Sequence, residues 1–94
     1  MKISELKYGA GRVDLRAKVI SIEEPKQVNT KNGPTMICHA KIEDDSGNIT
    51  LVLWGDDADK VKKGDEVRVS NGFVGEWQGD LQLSAGKYGK IEVL

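Results

Sequence analysis

Hydrophobic and polar positions alternate along most of this chain, and the phase reverses at two places. From Arg12 the residues Val13, Leu15, Ala17 and Val19 form an apolar row, with Asp14, Arg16 and Lys18 between them. Ile20 and Ile22 then carry the apolar row on even numbers, a one-residue slip that predicts a β-bulge inside one long strand over 12–24. Pro25 ends that strand because proline cannot donate to a ladder. A second strand is predicted over 35–43, with Met36, Cys38, Ala40 and Ile42 inward and Thr35, Ile37, His39 and Lys41 outward. A third, over 49–54, turns Ile49, Leu51 and Leu53 inward and leaves Thr50, Val52 and Trp54 on the wetter face. The fourth, over 66–77, slips again at Asn71-Gly72: Val67 and Val69 face the core, Val74 takes over on an even number, and Phe73, Gly75 and Trp77 turn outward. Leu81 and Leu83 return to the core while Gln82 and Ser84 face out, and Ile91 and Val93 finish the last strand.

The connectors read as follows. Residues 2–6 predict one helical turn whose Ile3 and Leu6 fold against the bottom of a barrel, with Tyr8 packing beneath it. Residues 26–34 form a polar, cationic loop around the turn dipeptide Asn32-Gly33. It is either a solvated hairpin tip or a flexible loop that lays Lys26 and Lys31 on a phosphate backbone. The acidic run Glu43-Asp44-Asp45 is consecutive, so its side chains point apart, and a solvated turn is expected there in place of a metal site. Asp56 is expected to cap a short helix that has Asp57 in its first turn and Lys60 and Lys62 near its end. Ala58 and Val61, three apart, would close one end of the barrel. Residues 85–89 are read as a loop carrying Lys87.

Composition narrows the possibilities. Ninety-four residues, 38% hydrophobic and 31% charged, make a single ordered domain over 1–94. No apolar run approaches the roughly 20 residues of a membrane helix, and the start, Met1-Lys-Ile-Ser-Glu, lacks the apolar core of a signal peptide. The single Cys38 can form neither an internal disulfide nor a cysteine zinc site. The expectation is an intracellular protein with no membrane association, no metal and no cofactor. His39 has no Cys, His or carboxylate at ligating or catalytic spacing. It reads as a surface residue that could touch a ligand on the outer face. No nucleophile–base pair is evident, and the Gly86–Gly89 segment precedes a strand where a phosphate-cradling loop would precede a helix, so an enzyme is not expected. A net charge of −1 argues against purely electrostatic nucleic-acid binding. It leaves open a mode in which stacking supplies the affinity and a few cations assist. Five strands, with a short helix between the third and fourth, predict an all-β, all-antiparallel, partly open Greek-key barrel of the OB-fold type. An SH3-like barrel is the alternative.

Four stretches carry a family resemblance: Ile3-Ser-Glu-Leu-Lys7, Asp45-Ser-Gly-Asn-Ile-Thr-Leu-Val-Leu-Trp54, Val61-Lys-Lys-Gly-Asp65 and Gly72-Phe73. In order and spacing they resemble the small OB-fold single-stranded-DNA-binding proteins and the DNA-binding domains of replication protein A, over nearly the whole chain. The resemblance implies binding of single strands in replication, recombination and repair. Trp54, Phe73 and Trp77 would be the stacking aromatics, and 26–31 the cationic loop. It also implies other OB domains or replication and repair proteins as partners. Two departures stand out: Ser84 occupies a position where some relatives have an aromatic, with Tyr88 as a substitute from elsewhere, and the flexible tail of some relatives is not found up to Leu94, so the expectation is either a lone core domain or a piece of a longer protein. Beside these aromatics, Arg16, Lys18, Lys41 and Lys87 are expected to reach phosphates, and His39, Gln82 and Ser84 to line the same face. An RNA-binding OB domain and a protein-interaction module remain the competing readings.

Overall fold

The computed structural model describes residues 2–85 and 89–94. Seven strands are present: β1 Val13–Ile22, β2 Lys26–Thr30, β3 Gly33–Asp44, β4 Gly47–Trp54, β5 Glu66–Trp77, β6 Asp80–Ser84 and β7 Lys90–Val93. Five of them close a ring in the order β1-β3-β4-β6-β5, with β5 returning to β1. β2 extends the sheet beside β3, and β7 lies beside the first half of β5. A 3₁₀ turn, Ile3–Glu5, precedes the ring, and a one-turn helix, α1 Asp57–Lys60, sits between β4 and β5.

The ring is not all-antiparallel as expected, because β4 and β6 pair in parallel. Parity requires this. Strand direction cannot alternate all the way round a closed ring with an odd number of members, so one neighbouring pair must run the same way. Both predicted slips are present. The β1–β3 register shifts between Val19 and Ser21. The β1–β5 register steps from Val13↔Gly72 to Leu15↔Val69, which leaves one extra residue in β5 at 70–71. These bulges let β1 and β5 bend and serve two parts of the barrel each.

The stretch 26–34, read as either a solvated hairpin tip or a flexible loop, is the end of a hairpin, and its first five residues form a strand that was not expected. β2 pairs with β3 from Lys26↔Ile37 to Thr30↔Gly33, and Lys31-Asn32 make the turn, one residue earlier than the Asn32-Gly33 dipeptide suggested. The Thr30 hydroxyl donates to the Gly33 carbonyl at 2.7 Å and accepts the Asn32 N–H at 3.3 Å, which fixes that turn. Its polar sequence hides the strand because β2 lies at an edge and only Val28 is half-buried. α1 forms where expected, with Ala58 and Val61 buried against the barrel, but the Asp56 side chain makes no capping bond; its backbone is already helical.

Inside the ring, Val13, Val19, Ile42, Leu51, Leu53, Val67, Val69, Leu83 and Ile91 are fully buried. Gly72 is packed into this core: a Cβ there would lie 2.9 Å from Val69 Cγ1 and 3.0 Å from the Ser84 carbonyl. Ile3 and Leu6 close the bottom as predicted. Tyr8 does not pack beneath them and is largely exposed. The Gly9 N–H donates to the Val74 carbonyl and the Val74 N–H to the Ala10 carbonyl, so this segment is tied to the edge of β5 by its backbone and needs no anchor from the ring.

The Asp44 carboxylate holds the bottom in place, a role the acidic run did not announce. Its Oδ2 accepts the Ile3 N–H at 2.9 Å, and Oδ1 accepts the Ser46 N–H, the Ser46 hydroxyl and the Gly47 N–H. Burial pushes this carboxyl up, but the Ser46 hydroxyl and the three backbone donors outweigh it and hold it below its usual range. Asp14 is also lowered, by the Arg68 guanidinium that donates to both its oxygens. A carboxyl whose folded pKa lies below its unfolded value stabilises the fold above the unfolded pKa, and that contribution fades as pH falls through the folded one. Denaturant midpoints measured against pH should therefore drop below about pH 4, the ordinary carboxylate range. Asp44→Ala should cost about 1–3 kcal/mol at neutral pH and flatten that acid dependence. Gly72→Ala should cost about 1–3 kcal/mol by overpacking, read as a lowered denaturant midpoint.

Candidate nucleic-acid interface

The slip in β5 decides what the outer face carries. After Val69 the strand spends one residue at Asn71, which has a left-handed backbone (φ +52°), and buries Gly72. Val74 then continues the core row, so Phe73, Gly75 and Trp77 fall on the outside. The cross-strand register assembles that outside face row by row. His39, Val52, Ser84 and Phe73 face one another across β3, β4, β6 and β5. The next row is Lys41, Thr50, Gln82 and Gly75. On the other side of the first row, Lys26, Ile37 and Trp54 line up across β2, β3 and β4. Adjacent strands lie about 4.8 Å apart, so each row spans the width of several nucleobase rings.

Three aromatics stand out of this surface: Trp54 is 46% exposed, Phe73 48% and Trp77 62%. Trp54 and Phe73 wall one cleft, floored by Val52, Gly75 and Ser84. Trp77 walls a second with His39, Lys41 and Thr50, and Gln82 borders both. Gly75 leaves open space where a side chain would stand, as no atom lies within 4 Å of a Cβ built there. Val52, expected on the wetter side, does point outward. It is nonetheless buried, as is Ser84, because the aromatics rise around that row.

The predicted residues divide into three groups. Trp54, Phe73, Trp77, His39, Lys41, Gln82 and Ser84 are brought together on one face, and Lys26 joins the Trp54 row from β2. Lys31 is exposed at the tip of the β2–β3 hairpin. Arg16 and Lys18 are not brought to the aromatics: they border a different cleft, with Glu43, Asp44 and Glu66, and Lys18 faces Glu43 and Glu66 across its neighbouring strands. Lys87 and Tyr88 lie outside the described residues.

Some contributors were missed. Ile37 lies directly beside Trp54, and its place in the outer row of the second strand was the available signal. Glu23 and Glu76 bring negative charge to the two clefts. Glu23 Oε2 lies 4.0 Å from His39 Nδ1. The Cys38 thiol donates to the Glu23 carbonyl from the buried side, and burial followed by the Glu23 charge pushes its pKa up, so it is an inert core group. Among the described residues no group of three or more His, Cys, Asp or Glu is placed to hold a metal. The face therefore offers flat apolar platforms, a few neutral hydrogen-bonding groups, scattered cations and the Glu23 and Glu76 carboxylates.

Comparison with known proteins identifies relatives of the whole chain. The chain is 34% identical over 90 residues to the single-stranded DNA binding protein Ssb of Saccharolobus solfataricus, covering 96% of this chain and 61% of that protein. It is 28% identical to replication factor A of Methanothermobacter thermautotrophicus, over 97% of this chain and 12% of that much longer protein. Among solved structures, the second OB-fold domain of replication protein A from Methanococcus maripaludis matches with a TM-score of 0.82 and 31% identity, covering all of this chain and 93% of that one. An OB domain from Thermoplasma acidophilum matches with a TM-score of 0.86 and 26% identity, over 100% and 85% of the two chains. Residues 13–93 match the family described as OB-fold nucleic acid binding domain. That match runs from the first residue of β1 to the last of β7, and the chain belongs to this family of OB-fold nucleic-acid-binding domains.

Proposed function

We propose that this domain binds single-stranded DNA with little sequence preference, by stacking bases on Trp54, Phe73 and Trp77, and so protects single strands during replication, recombination and repair. The observation that carries the reading is the exposure of three aromatic rings on one outer face of the barrel. A soluble domain has no packing reason to present them there. The names of the archaeal relatives support the same reading.

The magnitudes are sufficient. Stacking one base on an exposed aromatic is worth roughly 1–3 kcal/mol, so three platforms give on the order of 3–9 kcal/mol before ordering costs. Micromolar binding needs about 8 kcal/mol. Lys26, Lys31 and Lys41 contribute a modest phosphate term to a chain whose net charge is −1. Every base has a π-face, so the platforms do not discriminate among bases. A duplex hides those faces and is a poor ligand.

Titration with a poly-thymidine oligonucleotide should quench tryptophan fluorescence strongly, while a matched duplex leaves it nearly unchanged. Trp54→Ala should weaken binding by about 5- to 150-fold, the equivalent of one stacked base. Its fold should be intact by circular dichroism, because the ring contributes little to the core. Absence of quenching at tens of micromolar oligonucleotide would remove the nucleic-acid reading. A second variant separates stacking from charge. Gly75→Val puts bulk on the open floor between Phe73 and Trp77, where no atom lies within 4 Å of the Cβ position. It should fold normally and bind the single strand at least fivefold more weakly, about the low end of one stacking contact, with the salt dependence unchanged.

A further inference from the structure

Trp54 separates two hollows. One is the cleft it shares with Phe73. The other, about 380 Å³, lies on its far side and is walled by Val52, Trp54, Ala85 and Ile91, with Gly89 and Asp57 at its border. Gly89 is fixed there by close packing, since a Cβ on it would lie 2.8 Å from the Asn71 carbonyl and 2.9 Å from Ala85 Cα. The charged group among these residues is Asp57, in the first turn of α1 and three residues beyond Trp54. Its Oδ1 holds Lys60 Nζ at 2.9 Å. Its Oδ2 has no hydrogen bond among the described residues.

A strand stacked on Trp54 continues into one of these hollows, and their chemistries differ. The Phe73 side offers ring faces, the neutral groups of Gln82 and Ser84, and the exposed Glu76 carboxylate among its lining residues. The far side offers an apolar slot ending in a carboxylate. A carboxylate accepts hydrogen bonds and donates none. It repels a phosphate, so the group that enters must be a base, edge first. Guanine presents two adjacent donors, N1–H and the N2 amino group, on one edge. Cytosine and adenine present one exocyclic amino group each. Thymine presents a single N3–H between two carbonyl oxygens, which the carboxylate repels. Among the described residues of the slot the one other hydrogen-bonding side chain is Trp54, whose indole N–H only donates, so Asp57 is the side-chain acceptor there.

We propose that this slot is a base-reading subsite next to the Trp54 platform, and that Asp57 selects guanine there over thymine. The inference rests on the single-strand reading above and adds one discriminating position to an otherwise indifferent face. Asp57 is a specificity residue, and Lys60 pairs with its Oδ1, leaving Oδ2 to meet the base.

The test uses fluorescence anisotropy with labelled thymidine oligonucleotides in which one dG is moved through every position, alongside the all-thymidine strand. At one register, dG should tighten binding by about fivefold, the low end of the discrimination expected for a hydrogen-bonded base contact, because the Asp57 side chain is 30% exposed. Single dC and dA substitutions at that register should give smaller gains. Asp57→Asn should abolish the dG advantage while leaving thymidine affinity equal or slightly higher, since a negative charge has gone. Lys60→Ala removes the ion pair and keeps the reader, so it should retain the advantage. If Asp57 serves only α1, Asp57→Asn will lower stability and leave the dG-to-dT ratio where it was, which overturns the proposal. A ratio of one in the unaltered protein at every register overturns it as well. Failure of the all-thymidine and dG strands alike to bind would instead overturn the single-strand reading on which it rests.

Discussion

The constraint on which the outer face depends is the extra residue that β5 accommodates at Asn71-Gly72. A strand shows alternate residues to opposite sides, so inserting one residue exchanges the sides for everything after it. Before the insertion β5 contributes Val67 and Val69 to the core. After it, the same odd-numbered positions carry Phe73 and Trp77 into solvent. The exchange is tolerated because Gly72 has no side chain to collide with Val69 and the Ser84 carbonyl, and because Asn71 accepts a left-handed backbone more readily than most residues. The aromatics are thus displayed by a feature of the main chain that the core itself secures.

That feature was legible in the amino-acid sequence because core and surface are patterned in opposite phase on its two sides. The same holds for β1, where Val19 and Ser21 bracket the other slip, and for the inward rows of β3 and β4. β2 was not legible. An edge strand with one half-buried residue has no alternation to read, and its pairing depends on the Thr30 hydroxyl and on β3 being present beside it. The parallel β4–β6 pair was invisible in another way. It follows from counting the strands of a closed ring, and no residue in either strand encodes it.

Charges were the least readable part. Arg16 and Lys18 alternate as cleanly as Lys41, yet the bend of β1 carries them to a surface shared with Glu43 and Glu66. Alternation reports which side of a strand a residue occupies and says nothing about which part of a barrel that side belongs to. Asp44 shows the converse. Its acidic neighbours suggested a solvated turn, while its four accepted hydrogen bonds join the turn to Ile3 and close the bottom of the ring. The bond from Ile3 connects positions 41 residues apart, and only the assembled chain brings those two together.

Closure of the ring through β1 and β5 also shapes how the protein reaches its native state. That pairing joins residues roughly fifty positions apart, and contacts of such separation slow folding because the loop must be closed before they repay it. The row that sets Phe73 beside Ser84, and Ser84 beside Val52, exists only once β4, β5 and β6 are in register. A chain without that closure leaves the facing edges of β1 and β5 unpaired, and an unpaired strand edge is prone to aggregate. The platform thus rests on pairings distant in the chain as much as on the aromatics it displays.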